Sequence, residues 1–172
     1  MALVPKIGVQ LENTNTVTPN VNFLSPLGFR FLLNRAPNVE YFCQSATLPT
    51  ISMVELQQPS PFVVNPRPGD KITYEPFTLR FRVDENMSNY LEIFNWINAL
   101  GKPENFKQYE EILSDGSILL LSSNNNPKIR IAFQDLFPLS LSPLAFDVTQ
   151  SDVEYLEADI MFRYRIFTVE NL

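Results

Sequence analysis

The chain has no histidine in its 172 residues. Imidazole is the one side chain whose ordinary pKa lies near neutrality, so its absence removes His metal ligation and His acid–base catalysis. Ser-His-Asp and Cys-His nucleophile activation go with it. The single cysteine, Cys43, excludes an internal disulfide framework and a Cys-cluster zinc site, and its strand-like surroundings assign it to the core as a small hydrophobe. Glycine is scarce, at 5, and there is no glycine-rich phosphate loop, CxxC, HExxH or GxSxG motif. No cofactor and no enzymatic activity are expected.

Long apolar runs are missing too. Nothing approaches the roughly 18–20 consecutive apolar residues of a membrane span, and the opening MALVPKIGVQLENTNT lacks a signal-peptide core. The expectation is a chain made in the cytoplasm with no membrane segment. Basic clusters are absent as well: 13 Lys and Arg against 19 Asp and Glu give a net charge of −6, without the footprint of a phosphate-gripping surface. The densest carboxylate group is Asp152, Glu154, Glu157 and Asp159. Glu157 and Asp159 share one strand face, Glu154 falls on the other if the strand begins there, and no ligand-loop glycine accompanies them, so they read as a solvated acidic face rather than a calcium site.

What is present is an apolar share of 45%, aromatic residues at 12%, and 14 prolines. That supports one folded domain, with Val, Ile, Phe, Tyr and Thr biasing it towards pleated structure. Residues 1–28 read as an extended N-terminal arm, rich in Asn, Thr and Pro between Gln10 and Pro26; residues 29–172 form the domain. Phe29, Phe31 and Leu33 alternate with polar or outward positions, Ala36-Pro37-Asn38 supplies turn chemistry, and Val39 to Thr47 follows as the second strand of a hairpin. Ile51 to Leu56 forms a further strand. Between Pro59 and Pro76, five prolines surround Gly69-Asp70, which predicts a long projecting loop at 59–76.

Phe77, Leu79, Phe81 and Val83 alternate with Thr78, Arg80, Arg82 and Asp84 in a half-buried strand. Asp84-Glu85-Asn86 then caps a helix whose apolar stripe is Met87, Tyr90, Leu91, Phe94, Ile97 and Leu100, closed by Gly101 and Pro103. Ser117 to Ser122 and Lys128 to Phe133 form a hairpin across Asn124-Asn125-Asn126-Pro127. Phe137 to Phe146, interrupted by Pro138 and Pro143, is an irregular or edge segment. Glu154 to Thr168 is one long closing strand, with Leu156, Ala158, Ile160, Phe162, Tyr164 and Ile166 inward and Glu157, Asp159, Met161, Arg163 and Arg165 outward. The sum is a mainly β chain: an antiparallel β-sandwich or barrel with one packed α-helix.

The order of these pieces resembles the tail-tube proteins of contractile-tailed bacteriophages. Phe42-Cys43-Gln44-Ser45-Ala46-Thr47-Leu48-Pro49 looks like that family's strand ending in an Ala-x-Leu-Pro turn. Tyr74 to Phe81, Asp84-Glu85-Asn86 and the helix ending near Trp96-Ile97 resemble its central strand and helix. Lys128 to Ile131 with Leu136-Phe137-Pro138, and Glu157 to Tyr164, resemble its later strands. The resemblance spans most of residues 29–168 and implies a tail-tube-like structural virion protein. In that family, hexameric rings stack around the path of genome ejection, and the tube meets sheath and baseplate proteins in a tail assembled in the host cytoplasm. A longer polar arm and the Asn124-Asn125-Asn126 insertion depart from the pattern, and main tube subunit, baseplate initiator, terminator and secretion-system tube ring stay open.

Two sets of candidate functional residues follow. The polar faces of the two best-patterned strands give Arg80, Arg82, Glu157, Asp159 and Arg163 as candidates for a channel lining past which DNA moves without specific binding. Phe62, Val63, Val64, Arg67 and Asp70 give the loop a means of touching another copy. From a different class, a carbohydrate- or ligand-binding sandwich could stack sugars on Trp96 and other aromatics, although Trp96 falls beside core positions of the helix.

Overall fold

The computed structural model describes residues 24–25, 27–102, 112–149 and 155–172. The N-terminal arm therefore lies almost wholly outside the described residues, as do Asp152 and Glu154 of the acidic group. The elements run β1 (Phe29–Leu33), α1 (Pro37–Tyr41), β2 (Cys43–Thr47), β3 (Ile51–Gln58), β4 (Asn65–Tyr74), β5 (Phe77–Arg82), α2 (Ser88–Gly101), β6 (Ser114–Leu121), β7 (Pro127–Leu141), β8 (Glu157–Arg163) and β9 (Ile166–Asn171).

Period-two patterning builds the centre. On β5 and β8 the apolar positions Phe77, Leu79, Phe81, Ala158, Ile160 and Phe162 are all buried, and the strands pair antiparallel with Phe77 opposite Phe162 and Arg82 opposite Glu157. β2 flanks β5, and the last residues of β7, Phe137 to Leu141, flank β8. The first part of β7 belongs to a second layer, between β6 and β9, with β1 on the far side of β6. One continuous path, β1-β6-β7-β8-β5-β2 with β9 also on β7, thus folds into two facing layers joined through β7. The bend falls at Asp135, whose φ is 54°, beside a register shift between Ser114 and Gly116 of β6. Bulges of this kind let a strand change sheets.

The layers close over an aromatic core. Phe77 stacks on Phe133 at 4.9 Å between ring centroids and lies 5.7 Å from Phe31 and 6.1 Å from Phe162. Offset and tilted pairs like these add to the burial of large apolar area. α2 lies against β7 and α1, and Trp96 fills the space over Phe162 while its indole N–H donates to the Ile112 carbonyl at 2.8 Å. Trp96 is a core residue, so it is not available to stack on a sugar.

Four local expectations change. β1 and β2 are not a hairpin: Pro37 opens the short helix α1, Glu40 accepts from the Leu33 N–H, and the chain crosses from β6 to β5. The expected loop at 59–76 is mostly strand, because β4 pairs with β3 in a two-stranded ribbon that leaves only residues 59–64 as its tip. Pro66 and Pro68 are tolerated since each strand of a two-stranded ribbon has one free edge. Residues 137–141 continue β7 as an edge strand, which is the edge alternative expected for that segment. The closing strand is two strands: at Tyr164–Arg165 the chain passes between layers, held by the Arg165 N–H to Gln134 and an Arg165–Asp135 ion pair at 2.6 Å. After this break Phe167 rather than Ile166 takes the buried position.

Tyr90, Ile97 and Leu100 of the helix's expected stripe pack against the core, but the stripe is displaced from its expected centre. Asn89, Ile93 and Trp96 are buried, while Leu91 and Phe94 remain about half exposed. Its first turn is held not by Asp84, Glu85 or Asn86 side chains but by Asn89, whose amide donates to the Arg82 carbonyl at 2.7 Å and whose oxygen accepts from Asp84 and Tyr90. Fully buried, Asn89 satisfies three main-chain groups where β5 hands over to α2.

Candidate functional site

Two surfaces stand out. The first is the outer face of the β5–β8 pair. Because Arg80 lies opposite Asp159 and Arg82 opposite Glu157, cross-strand neighbours carry opposite charge. Arg80 grips Asp159 through two contacts, Nε to Oδ1 at 2.8 Å and Nη2 to Oδ2 at 3.3 Å, and stands 4.0 Å from Glu157. Arg82 is 3.9 Å from Glu157 and stacks over Tyr155 at 5.4 Å. Hydrogen bonding to Asp159, and then its charge, raise the Arg80 pKa above its ordinary value. The four groups make an exposed, charge-compensated ladder.

Of the candidate channel residues, the structure brings Arg80, Arg82, Glu157 and Asp159 together. Arg163 lies on the same strand but turns aside, donating to the Tyr74 carbonyl at 2.9 Å at the foot of the ribbon. Tyr155, which stacks on Arg82, was missed by sequence reasoning; only its position two residues before the ladder signals it. Among the described residues no group of His, Cys, Asp or Glu is placed to hold a metal ion, and no helix is long and apolar enough to cross a membrane.

The second surface is the β3–β4 ribbon. Apart from Gly69 and Tyr74 its strand residues are exposed, and Phe62 at the tip is 96% exposed, with Val63 and Val64 beside it. Arg67 lies just below the tip opposite Leu56, and Asp70 further down β4. Ile51, Met53, Val54, Leu56 and Ile72 add apolar side chains more than half or about half open to solvent. These exposed apolar side chains make the ribbon a candidate interaction surface. Gly69 is required where the register shifts past Val54, since a Cβ there would run into the Val54 carbonyl oxygen.

Cys43 packs against the core, and burial pushes its thiol pKa up to about 12. It is an inert thiol, not a nucleophile.

The fold is thus two layered sheets that share β7, with a packed helix and an exposed two-stranded ribbon. Solved structures agree in fold. A chain of the extracellular contractile injection system PVC sheath–tube complex in the extended state superimposes with a TM-score of 0.64 at 18% identity, covering 87% of this chain and 92% of that one. The PVC sheath/tube terminator gives 0.62 at 18% identity, covering 88% and 99%. The tube-terminating cap of the anti-feeding prophage gives 0.60 at 17% identity, covering 96% and 100%. None of the curated proteins is a significant sequence match. The family model described as phage tail tube protein matches residues 6–170, and the chain belongs to that family. It is a structural component of a tail, not an enzyme.

Proposed function

We propose that the chain forms homo-oligomeric rings, six copies to a ring, that stack into the tail tube through which the genome is ejected. The observation that carries this reading is the pair of open edges on the four-stranded layer β2-β5-β8-β7: among the described residues nothing pairs with the outer side of β2 or with the outer side of residues 137–141. Edges left open in a soluble protein attract another strand, and joining one subunit's edge to the next subunit's opposite edge is a head-to-tail contact that closes into a ring.

The β5–β8 face then lines the channel. Its arginines are already committed to Asp159 and Glu157, so little free positive charge meets passing phosphates. A charge of −6 per copy becomes about −36 in a ring of six, which opposes DNA adhesion. Sheath and baseplate proteins are the expected outer partners, since similar folds occur in structures described as sheath–tube, terminator and baseplate assemblies.

Imaging of the purified full-length chain by negative stain tests the reading. Hollow rings or tubes support it, and open-ended growth into long tubes favours the main subunit over a terminator, which would stop at single rings. A monomer at every concentration contradicts it.

A further inference from the structure

Two grooves meet at the end of the β2–β5–β8 layer where Cys43 pairs with Phe81. The larger, of about 750 Å³, is walled by Phe42, Val83, Met87, Phe146, Tyr155 and Leu156 among others. Phe146 and Tyr155 are each 72% exposed there. The smaller, of about 510 Å³, is bordered by Phe29, Pro37, Glu40 and Leu121, and the two grooves share Tyr41 and Cys43. The chain enters β1 beside the smaller groove, where the Leu121 N–H donates to the Gly28 carbonyl at 2.8 Å. One wall residue of the larger groove is electrostatically incomplete. Asp84 Oδ1 is shut off from solvent and has no hydrogen-bond partner among the described residues, while the groove's own Arg82 is occupied by Glu157 and Tyr155.

We infer that the larger groove is the docking site of the chain's own residues 3–9, reached by way of the smaller groove. Sequence, charge and reach select this occupant. Leu3-Val4-Pro5 and Ile7-Gly8-Val9 are apolar on either side of Lys6, the only basic residue among residues 1–29. The segment thus offers apolar side chains to aromatic and aliphatic walls, and one ammonium group to the Asp84 and Glu85 side of the groove. A buried carboxylate oxygen without a donor is costly, and a lysine ammonium carries three N–H donors. Residues 10–23 separate the segment from Leu24. Fully extended they span at most about 50 Å, against a diameter of roughly 40 Å for a folded chain of this length, so the groove is within reach.

On this path the residues leading to the docked segment pass over the start of β2, whose outer side has no strand partner among the described residues. In a free subunit they shield that edge, and the neighbouring subunit of a ring has to displace them. The contact is an autoinhibitory latch: it holds single subunits apart until a ring under construction offers the edge a better partner. The latch rests on the ring reading, whereas the docking of residues 3–9 does not.

The test uses full-length chains in a Cys43→Ser background, dilute enough to be monomeric, with Ile7→Cys and Tyr155→Cys in the same chain. Ile7→Cys combined with Thr168→Cys, an exposed position on β9, is the control. After oxidation the expected product is an intramolecular 7–155 disulfide at least about tenfold more abundant than the 7–168 one, the excess that a docked segment gives over a freely tethered one. Lys6→Glu should lower the 7–155 yield about threefold, and Lys6→Arg should leave it unchanged. Equal yields at 155 and 168, a 7–155 yield indifferent to Lys6→Glu, or 7–155 links between two chains overturn the docking of the chain on itself. At concentrations where the reduced chain forms rings, the oxidised 7–155 chain should stay monomeric and regain assembly on reduction. Oxidised chains that assemble as readily overturn the latch and leave the docking standing. If the reduced chain forms no rings at any concentration, the tube reading and the latch both fall, and the cross-link alone decides the docking.

Discussion

Arg80 and Asp159 face one another across β5 and β8 in direct register, joined by two hydrogen bonds at 2.8 and 3.3 Å although 79 residues separate them in the chain. The pair ties a positive side chain to a negative one on the surface proposed to face the channel. Charge on that surface is neutral by construction rather than by lack of charged residues.

Changing Glu157 and Asp159 together to Lys therefore frees Arg80 and Arg82 and adds two cations. The variant should still assemble, with a lowered melting temperature from like charges facing across the strands. Its tubes should retain DNA at low salt and release it near 1 M, where the screening length is about 3 Å. Tubes of the variant that retain no DNA at low salt would remove these residues from the lumen.

Asn89→Leu leaves the Arg82 carbonyl and the Asp84 and Tyr90 N–H groups without their partner in the interior. A loss of about 2–4 kcal/mol in chemical denaturation is expected, from lost hydrogen bonds and stranded polar groups. An exposed change such as Asn98→Leu on the same helix should cost less than about 0.5 kcal/mol.

Asn89 also shows what could and could not be read from the chain. The strand alternation of β5, and of β8 up to Tyr164, was legible because both strands bury one face and the period is strictly two. The helix was legible as a helix, but Leu91 and Phe94 compete with Ile93 and Trp96 for the apolar stripe, and only contact with β7 decides between them. α1 is five residues long, too short for a period to show, and Pro37 at its start reads equally well as a turn. The prolines of β4 spoke against a strand, but their effect depends on which edges are paired, a tertiary fact. The pairing of Arg80 with Asp159 depends on register between distant strands, which sequence alone does not carry; the polar face on which both lie was visible.

Gly69→Ala probes the ribbon without touching the core. The added methyl collides with the Val54 carbonyl, so the ribbon must distort at its register shift. The melting temperature of the sandwich should change little, because the ribbon packs mainly on itself, while assembly should fall sharply. Unaltered assembly would show that the ribbon's shape is irrelevant to assembly.

Tyr164 gives an alkaline limit to stability. Burial, the first cause, and the nearby Tyr74 push its pKa up to about 12 from 10.0, and its O–H donates to the Glu75 carbonyl at 2.9 Å. The raised value means that the folded state holds the proton more tightly. Its contribution is complete below pH 10 and is lost as pH rises towards 12. Denaturation midpoints should decline across that window, and Tyr164→Phe should flatten the decline while lowering stability near neutrality.

The most direct test of the account is a cryo-EM reconstruction of the assembled full-length chain, read for symmetry and for the surface at the lumen. The account predicts hollow rings of six copies, with β2 of one subunit beside residues 137–141 of the next and Arg80, Arg82, Glu157 and Asp159 lining the bore. A hollow assembly with those four residues on its outer wall, or a particle with no central channel, would contradict it.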